Sequence, residues 1–273
     1  MAGRARGRGS RQAQAGADRG RDVPAVHERL PAVPPRLGVS AERHSIALPA
    51  GKLSLVLHAP ETPRRVPCVI ACHGLSASKD SDKYLLLGDA LPAAGLALAR
   101  FDFRGCGESS GREEETTIAT RIEDVEAVLG HLEGHPRLDG RIGLLGSSLG
   151  GFVALFVASR RPNVPVVTWN APASLTGLAN DDLRENRGLG VSFAIEYMEG
   201  RYALAPKNVA RHLVVHGEAD DVVTLDHGVQ LHDQADEPCD LLVIPGGDHR
   251  LTDPAHRAEA VTASVAWLSR FLA

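Results

Sequence analysis

A serine stands where this chain has to turn most sharply. Arg141-Ile142-Gly143-Leu144-Leu145 is a short run with the apolar character of a buried strand. Phe152-Val153-Ala154-Leu155-Phe156-Val157-Ala158 is an apolar run with the character of a buried helix, and little more than Gly146-Ser147-Ser148-Leu149-Gly150 lies between them. A strand that empties into a helix over so few residues must reverse tightly, which strains the backbone at the apex. A glycine two positions to either side removes the side chains that would collide there. Of the two serines only Ser148 has both glycines, and the turn exposes its hydroxyl. With 28 glycines among 273 residues, such a pattern arises by chance in roughly one sequence in ten, so its weight comes from what surrounds it.

From His44 onward the surroundings are strands and helices in alternation. Ile46 to Leu48 and Leu53 to Leu57, joined by Pro49-Ala50-Gly51-Lys52, predict an antiparallel hairpin. Val66 to Cys72 predicts a strand, Asp82 to Ala94 a helix closed by Gly95, and Leu96 to Phe103 the next strand. Over Thr116 to Glu133 the residues Ile118, Ile122, Val125, Leu129 and Leu132 recur at helical spacing and define one buried face. After the serine turn come strands at Val164 to Trp169, His212 to His216 and Leu241 to Ile244, then a closing helix from about Pro254 to Phe271. This rhythm predicts an α/β protein with a mainly parallel sheet of about eight strands covered on both faces by helices. It breaks between Asn170 and Arg211, where Phe193, Ile195, Tyr197, Met198 and Tyr202 lie in a stretch of little strand character. That insertion, about 171–210, is expected to be a small helical cap, an ordinary crossover with extra turns being the alternative.

The chain is long enough for one large domain with a substantial core, expected over 37–273. Residues 1–36 are rich in Arg, Gly, Ala and Pro without apolar periodicity and are expected to be disordered, either as a leader or as the product of a start placed too far upstream. They contain no apolar segment of the kind a secretory signal needs. No apolar run is long enough to span a bilayer, and a formal charge of -4 gives no reason to expect nucleic acid on the folded domain. Cys68, Cys72, Cys106 and Cys239 form no CxxC pair or metal knuckle. Cys68 and Cys72, four apart in a strand, share one face as small core residues. These observations favour a reducing cytoplasm, with no metal and no cofactor; oligomeric state is not legible.

A serine hydroxyl attacks poorly at neutral pH unless an imidazole takes its proton and a carboxylate orients that imidazole. On a parallel sheet such groups gather just beyond the carboxyl ends of strands. Two loops qualify. Leu213-Val214-Val215-His216 empties into Gly217-Glu218-Ala219-Asp220-Asp221, where Asp220 is the preferred carboxylate and Asp221 and Glu218 are local alternatives. Leu241-Leu242-Val243-Ile244 ends in Pro245-Gly246-Gly247-Asp248-His249, which makes His249 the base. Two backbone amides must also face the oxygen on which charge develops. Leu149, following the serine at a helix start, supplies one; Leu75, where the strand ending in Cys72 turns through His73-Gly74, supplies the other. His73 is expected to support that loop and not to act as a second base.

Taken together, His73-Gly74, Asp102-Phe103-Arg104-Gly105-Cys106-Gly107-Glu108-Ser109, the turn at Ser148, the loop of Asp220 and the terminal His249 resemble the α/β-hydrolase superfamily over about residues 40–273. The order serine, aspartate, histidine is that of the superfamily. In many relatives histidine stands at the position of Cys106, a departure expected to affect packing only. Within the superfamily, His73-Gly74-Leu75-Ser76-Ala77-Ser78-Lys79-Asp80 is similar to serine carboxylesterases of the cinnamoyl-esterase and monoacylglycerol-lipase-like type and to the dienelactone-hydrolase-like group. Serine in place of the dienelactone hydrolases' cysteine, or of the aspartate of epoxide hydrolases and haloalkane dehalogenases, disfavours those chemistries. The resemblance implies hydrolysis of a small-molecule carboxylic ester of small to medium acyl chain through an acyl-enzyme. Peptidase or thioesterase activity is the alternative, and a non-enzymatic module with an RNA-binding Arg-Gly arm would require a damaged triad. Phe193, Tyr197 and Met198 of the cap are candidate substrate-binding residues.

Overall fold

In the computed structural model, residues 38–176 and 189–273 are described. The Arg/Gly-rich leader and the middle of the cap insertion therefore lie outside the described residues. Eight strands form one sheet: β1 (Val39–Leu48), β2 (Gly51–Pro60), β3 (Val66–Cys72), β4 (Ala97–Phe101), β5 (Leu138–Ser147), β6 (Val166–Trp169), β7 (His212–Gly217) and β8 (Cys239–Ile244). Their spatial order is β1-β2-β4-β3-β5-β6-β7-β8. β1 and β2 are antiparallel neighbours and β2 meets β4 antiparallel; every pairing from β4 through β8 is parallel. The hairpin at the amino end is longer than its apolar pattern predicts. β1 is an edge strand with one fully buried residue, Ile46, so hydrophobic periodicity gives no signal over its first half.

The two faces of the sheet can be read from β3, in which all seven residues are buried. Cys68, Ile70 and Cys72 point into one apolar cluster, while Val69 and Ala71 point into the other, as a period of two requires. The first cluster is closed by α2 (Ile118–Leu132) and α3 (Leu149–Ser159), the second by α1 (Asp82–Ala93) and α6 (Pro254–Leu272). All four cysteines are free, Cys68 and Cys72 serving as small core residues. α2 begins at a capping box, in which Thr117 Oγ1 accepts from Thr120 N and Thr120 Oγ1 accepts from Thr117 N. α6 begins with Asp253 capping Ala255 N and Pro254 in the first turn. α5 (Leu225–Asp233) packs on β7 and β8. The described part of the insertion holds one further helix, α4 (Val191–Met198), whose Glu196 accepts from Ile118 N at 2.6 Å and Ala119 N at 2.9 Å. An acidic side chain thus caps the positive end of α2 and ties the insertion to the main domain.

The run from Asp102 to Ser109 is a brace just after β4. The Asp102 carboxylate is fully buried and accepts from Lys79 N, Lys79 Nζ (2.6 Å) and Glu108 N. Lys79, 1% exposed, reaches Glu108 at 2.8 Å as well. Arg104 pairs with the buried Asp124 of α2, and Ser109 Oγ donates to Asp102 O. This network holds the loop after β3 against the loop after β4.

Candidate active site

The parallel strands leave the sheet in one direction, so the loops after β3, β5, β6, β7 and β8 gather at their carboxyl ends. At the end of β5 the chain turns through Ser148, whose φ of 53° and ψ of −128° lie in a region that costs a non-glycine residue on the order of 1–3 kcal/mol. Neighbouring backbone over-determines the turn. A Cβ on Gly146 would run into Gly150 O, and one on Gly150 into the carbonyl oxygens of Cys72 and His73. The apex is therefore wedged between β5, the start of α3 and the loop after β3.

Ser148, His249 and Asp220 come together from three of these loops. Ser148 Oγ lies 3.1 Å from His249 Nε2, and His249 Nδ1 lies 2.8 Å from Asp220 Oδ2. A carboxylate can only accept, so Nδ1 carries the proton and Nε2 is left to accept from the serine hydroxyl. The Asp220 side chain is fully buried, and its other oxygen accepts from Val222 N at 2.9 Å and Val223 N at 2.8 Å. Of the alternative carboxylates, Asp221 is exposed, and Glu218 instead accepts from Gly246 N at 3.1 Å, bracing the turn before His249. His216, also close to Asp220 at 3.7 Å, donates Nε2–H to Val223 O and is kept neutral by burial.

The loop after β3 passes directly over the serine: a Cβ on Gly74 would stand 3.1 Å from Ser148 Cβ. Among the described residues the amides of Leu75 and Leu149 have no hydrogen-bond acceptor. The loop is held from both sides of Leu75. His73 Nδ1 contacts Gly74 O at 2.7 Å while its Nε2 accepts from Phe103 N, and Ser76 N donates to Glu113 at 2.9 Å. Burial pushes the His73 pKa down to about 4, so the ring is neutral and serves the loop. Cys106 is buried against Glu113, and burial pushes its thiol up to about 12, far from a thiolate at neutral pH.

Several residues at the site carry no motif. Asn170, 1% exposed with φ of 50°, follows β6. Its Nδ2 donates to Asp248 O at 3.0 Å and His249 O at 2.8 Å, and its Oδ1 accepts from Gly217 N. It thereby fastens the histidine loop to the end of the strand that precedes the acid. The strand-end rule that located Asp220 and His249 applies equally to Asn170, and is the one sequence signal for it. A cavity of about 410 Å³ opens on Ser148, with Lys83, Arg250 and Arg257 in its wall. Phe193, Tyr197 and Met198 do not line it. Phe193 is buried in the main core, Tyr197 packs against that core, and Met198 is 76% exposed, so the apolar residues of α4 are spent on holding the helix down or face solvent. Glu42, His44 and His135 form the one described group whose spacing could suit a metal ion, and none of them lines this cavity. Arg137 already occupies Glu42 there, at 2.8 Å.

Comparison with known proteins agrees with the fold. A family model described as serine aminopeptidase S33 matches residues 63–175. The esterase Est1E of Butyrivibrio proteoclasticus, solved with ferulic acid, superposes with a TM-score of 0.73 at 20% identity over 84% of this chain and 98% of its own. The chain has the α/β-hydrolase fold. The α/β-hydrolase domain-containing protein 10 of mouse superposes with a TM-score of 0.68 at 20% identity over 85% of this chain and 99% of its own. In sequence, the bovine mitochondrial palmitoyl-protein thioesterase ABHD10 is 25% identical over 215 residues, 69% of each chain. An uncharacterised protein of Mycobacterium tuberculosis is 30% identical over 188 residues, 67% of this chain and 63% of its own. No helix among the described residues is long and apolar enough to cross a membrane.

Proposed function

We propose that this protein is a serine hydrolase that cleaves carboxylic esters of small to medium acyl groups through an acyl-enzyme on Ser148. The observation that carries the proposal is the unbroken relay from Ser148 Oγ through His249 to the buried Asp220, at 3.1 and 2.8 Å. His249 takes the serine proton as Oγ attacks the ester carbonyl, and Asp220 stabilises the imidazolium that results. The Leu75 and Leu149 amides receive the oxyanion. His249 then protonates the leaving alcohol, and a water activated by the same imidazole releases the acid. Four free cysteines fit a reducing compartment, and a cytoplasmic location is part of the proposal.

Ser148→Ala is expected to lower kcat/KM on nitrophenyl butyrate by at least a thousandfold and to abolish labelling by a fluorophosphonate probe; labelling that persists in the variant places the nucleophile elsewhere. A series of nitrophenyl esters is expected to peak below C12, and a peak at C12 or longer overturns the acyl-size assignment. A second reading, thioester hydrolysis, is favoured by the likeness to the thioesterase ABHD10, and a peptidase reading by the matched aminopeptidase model. Parallel rates on matched esters, thioesters and aminoacyl amides separate the three.

A further inference from the structure

The wall of the cavity beside Ser148 carries more positive charge than the proposed acyl transfer needs. Lys83, near the start of α1, points its Nζ at Ser147 Oγ, 2.8 Å away, and no carboxylate lies within 4.0 Å of it among the described residues. Because Ser147 precedes Ser148, that ammonium stands at most roughly 11 Å from the nucleophilic oxygen, the reach of one backbone step plus two short side chains and the hydrogen bond. Arg250, next to His249, is exposed and forms no ion pair with a described carboxylate. Arg257 is fixed by Leu251 O, Thr252 O and Asp82, the last at 3.3 Å. Three cations thus share the wall with one carboxylate, Asp82, which is itself largely in water.

Such an arrangement repels itself. Burial, with the charges of Arg257 and Arg250 adding to it and those of Asp248 and Asp220 only partly opposing, pushes the Lys83 pKa down to about 8. An anion entering the cavity would relieve that repulsion and find an ammonium and a guanidinium as donors.

We propose that the cavity is an anion-recognising subsite, and that the preferred substrate carries a carboxylate or phosphate a few bonds from the scissile carbonyl, received by Lys83 and Arg250. The inference rests on the hydrolase assignment for its catalytic readout, but anion binding can be measured without turnover. In the full chain, the nitrophenyl monoester of glutaric acid is expected to be hydrolysed with a kcat/KM at least tenfold above that of nitrophenyl pentanoate, mainly through KM. Lys83→Met and Arg250→Gln should each remove most of that preference. A preference below twofold in the wild type, or one that survives in both variants, overturns the subsite.

Binding of free glutarate and of inorganic phosphate to the Ser148→Ala protein, read by calorimetry, distinguishes the two anion types. Binding of either one that is weakened at least tenfold by adding Lys83→Met supports the subsite, and no binding of either overturns it. If neither ester is turned over while glutarate or phosphate still binds through Lys83, the hydrolase assignment fails and the anion site stands.

Discussion

Asn170 offers the sharpest test of how the catalytic loops are held together. Its side chain makes three hydrogen bonds, to Asp248 O, His249 O and Gly217 N, all at 2.8–3.0 Å and all across loops from different strands. Replacing it with alanine removes all three at a site that is 1% exposed. At about 1 kcal/mol per bond the loss is about 3 kcal/mol, with the carbonyls and amide left unpaired tending to raise it. The backbone adds roughly 1 kcal/mol more, because φ is 50° and asparagine tolerates the left-handed region better than alanine. For a domain of this size, about 4 kcal/mol corresponds to a fall in Tm of about 10 °C. Asn170→Asp separates the contributions: it keeps the backbone preference and the acceptor for Gly217 N, but sets an anion against two carbonyl oxygens. Both variants are expected to lower kcat/KM on a nitrophenyl ester at least tenfold at temperatures where they remain folded, because His249 is no longer fastened to the strand that leads to Asp220. Thermal unfolding followed by circular dichroism, with rates measured on the same samples, checks this. An Asn170→Ala protein that melts within 2 °C of wild type and keeps its kcat/KM refutes the bracing role.

Lys79→Met leaves Asp102 buried without its cation and is expected to destabilise by about 3–5 kcal/mol. Adding Asp102→Asn should restore part of that, and additive losses in denaturant titrations would show that the two are not coupled. Glu196→Gln replaces the charged cap at the start of α2 with a neutral amide and should cost about 1 kcal/mol, a Tm decrease of about 2–4 °C; an unchanged Tm would mean that α4 contributes nothing to the hold on α2. Acid should destabilise the protein through its buried neutral histidines. Burial lowers His73 to about 4 and His212 to about 3, whereas in the unfolded chain both titrate near the ordinary value of about 6.5. Below about pH 6.5 the unfolded state therefore binds protons that the folded state refuses, and stability falls as pH drops toward 4, by about 1.4 kcal/mol per pH unit for each ring. His212→Gln, whose amide can still meet Thr168 Oγ1, should flatten urea midpoints measured between pH 7 and 5; an unaltered slope refutes the assignment.

The parts of this molecule that were legible in its sequence are those for which a local rule has one outcome. β3 spans Val66–Cys72 as its apolar run predicts, because a strand buried on both faces has no polar positions to blur its ends. The tight turn at Ser148 was legible because steric exclusion at Gly146 and Gly150 leaves glycine as the residue that fits. The first half of β1 was not legible: it is an exposed edge whose strand state comes from pairing with β2, a long-range fact. The apolar residues of α4 do not line the described cavity for a related reason. Composition marks Phe193 and Tyr197 as buried, but whether they bury into a substrate cavity or into the main core depends on where Glu196 anchors the helix.

Asn170 and Lys83 belong to a third kind. Each is an ordinary polar residue whose role exists because the parallel topology brings the ends of β5, β6, β7 and β8 and the start of α1 to one place. Lys83 follows no pattern within its own segment and Asn170 only its place at a strand end, and their partners lie 47 to 79 residues away in the chain. A local sequence rule can therefore name the proposed reacting atoms, which stand on specialised turns, more readily than the groups that hold those atoms in register or select what reaches them. In this fold the holding and selecting groups are set by which strand ends are neighbours, so the fold itself is the information that the motif for Ser148 lacked.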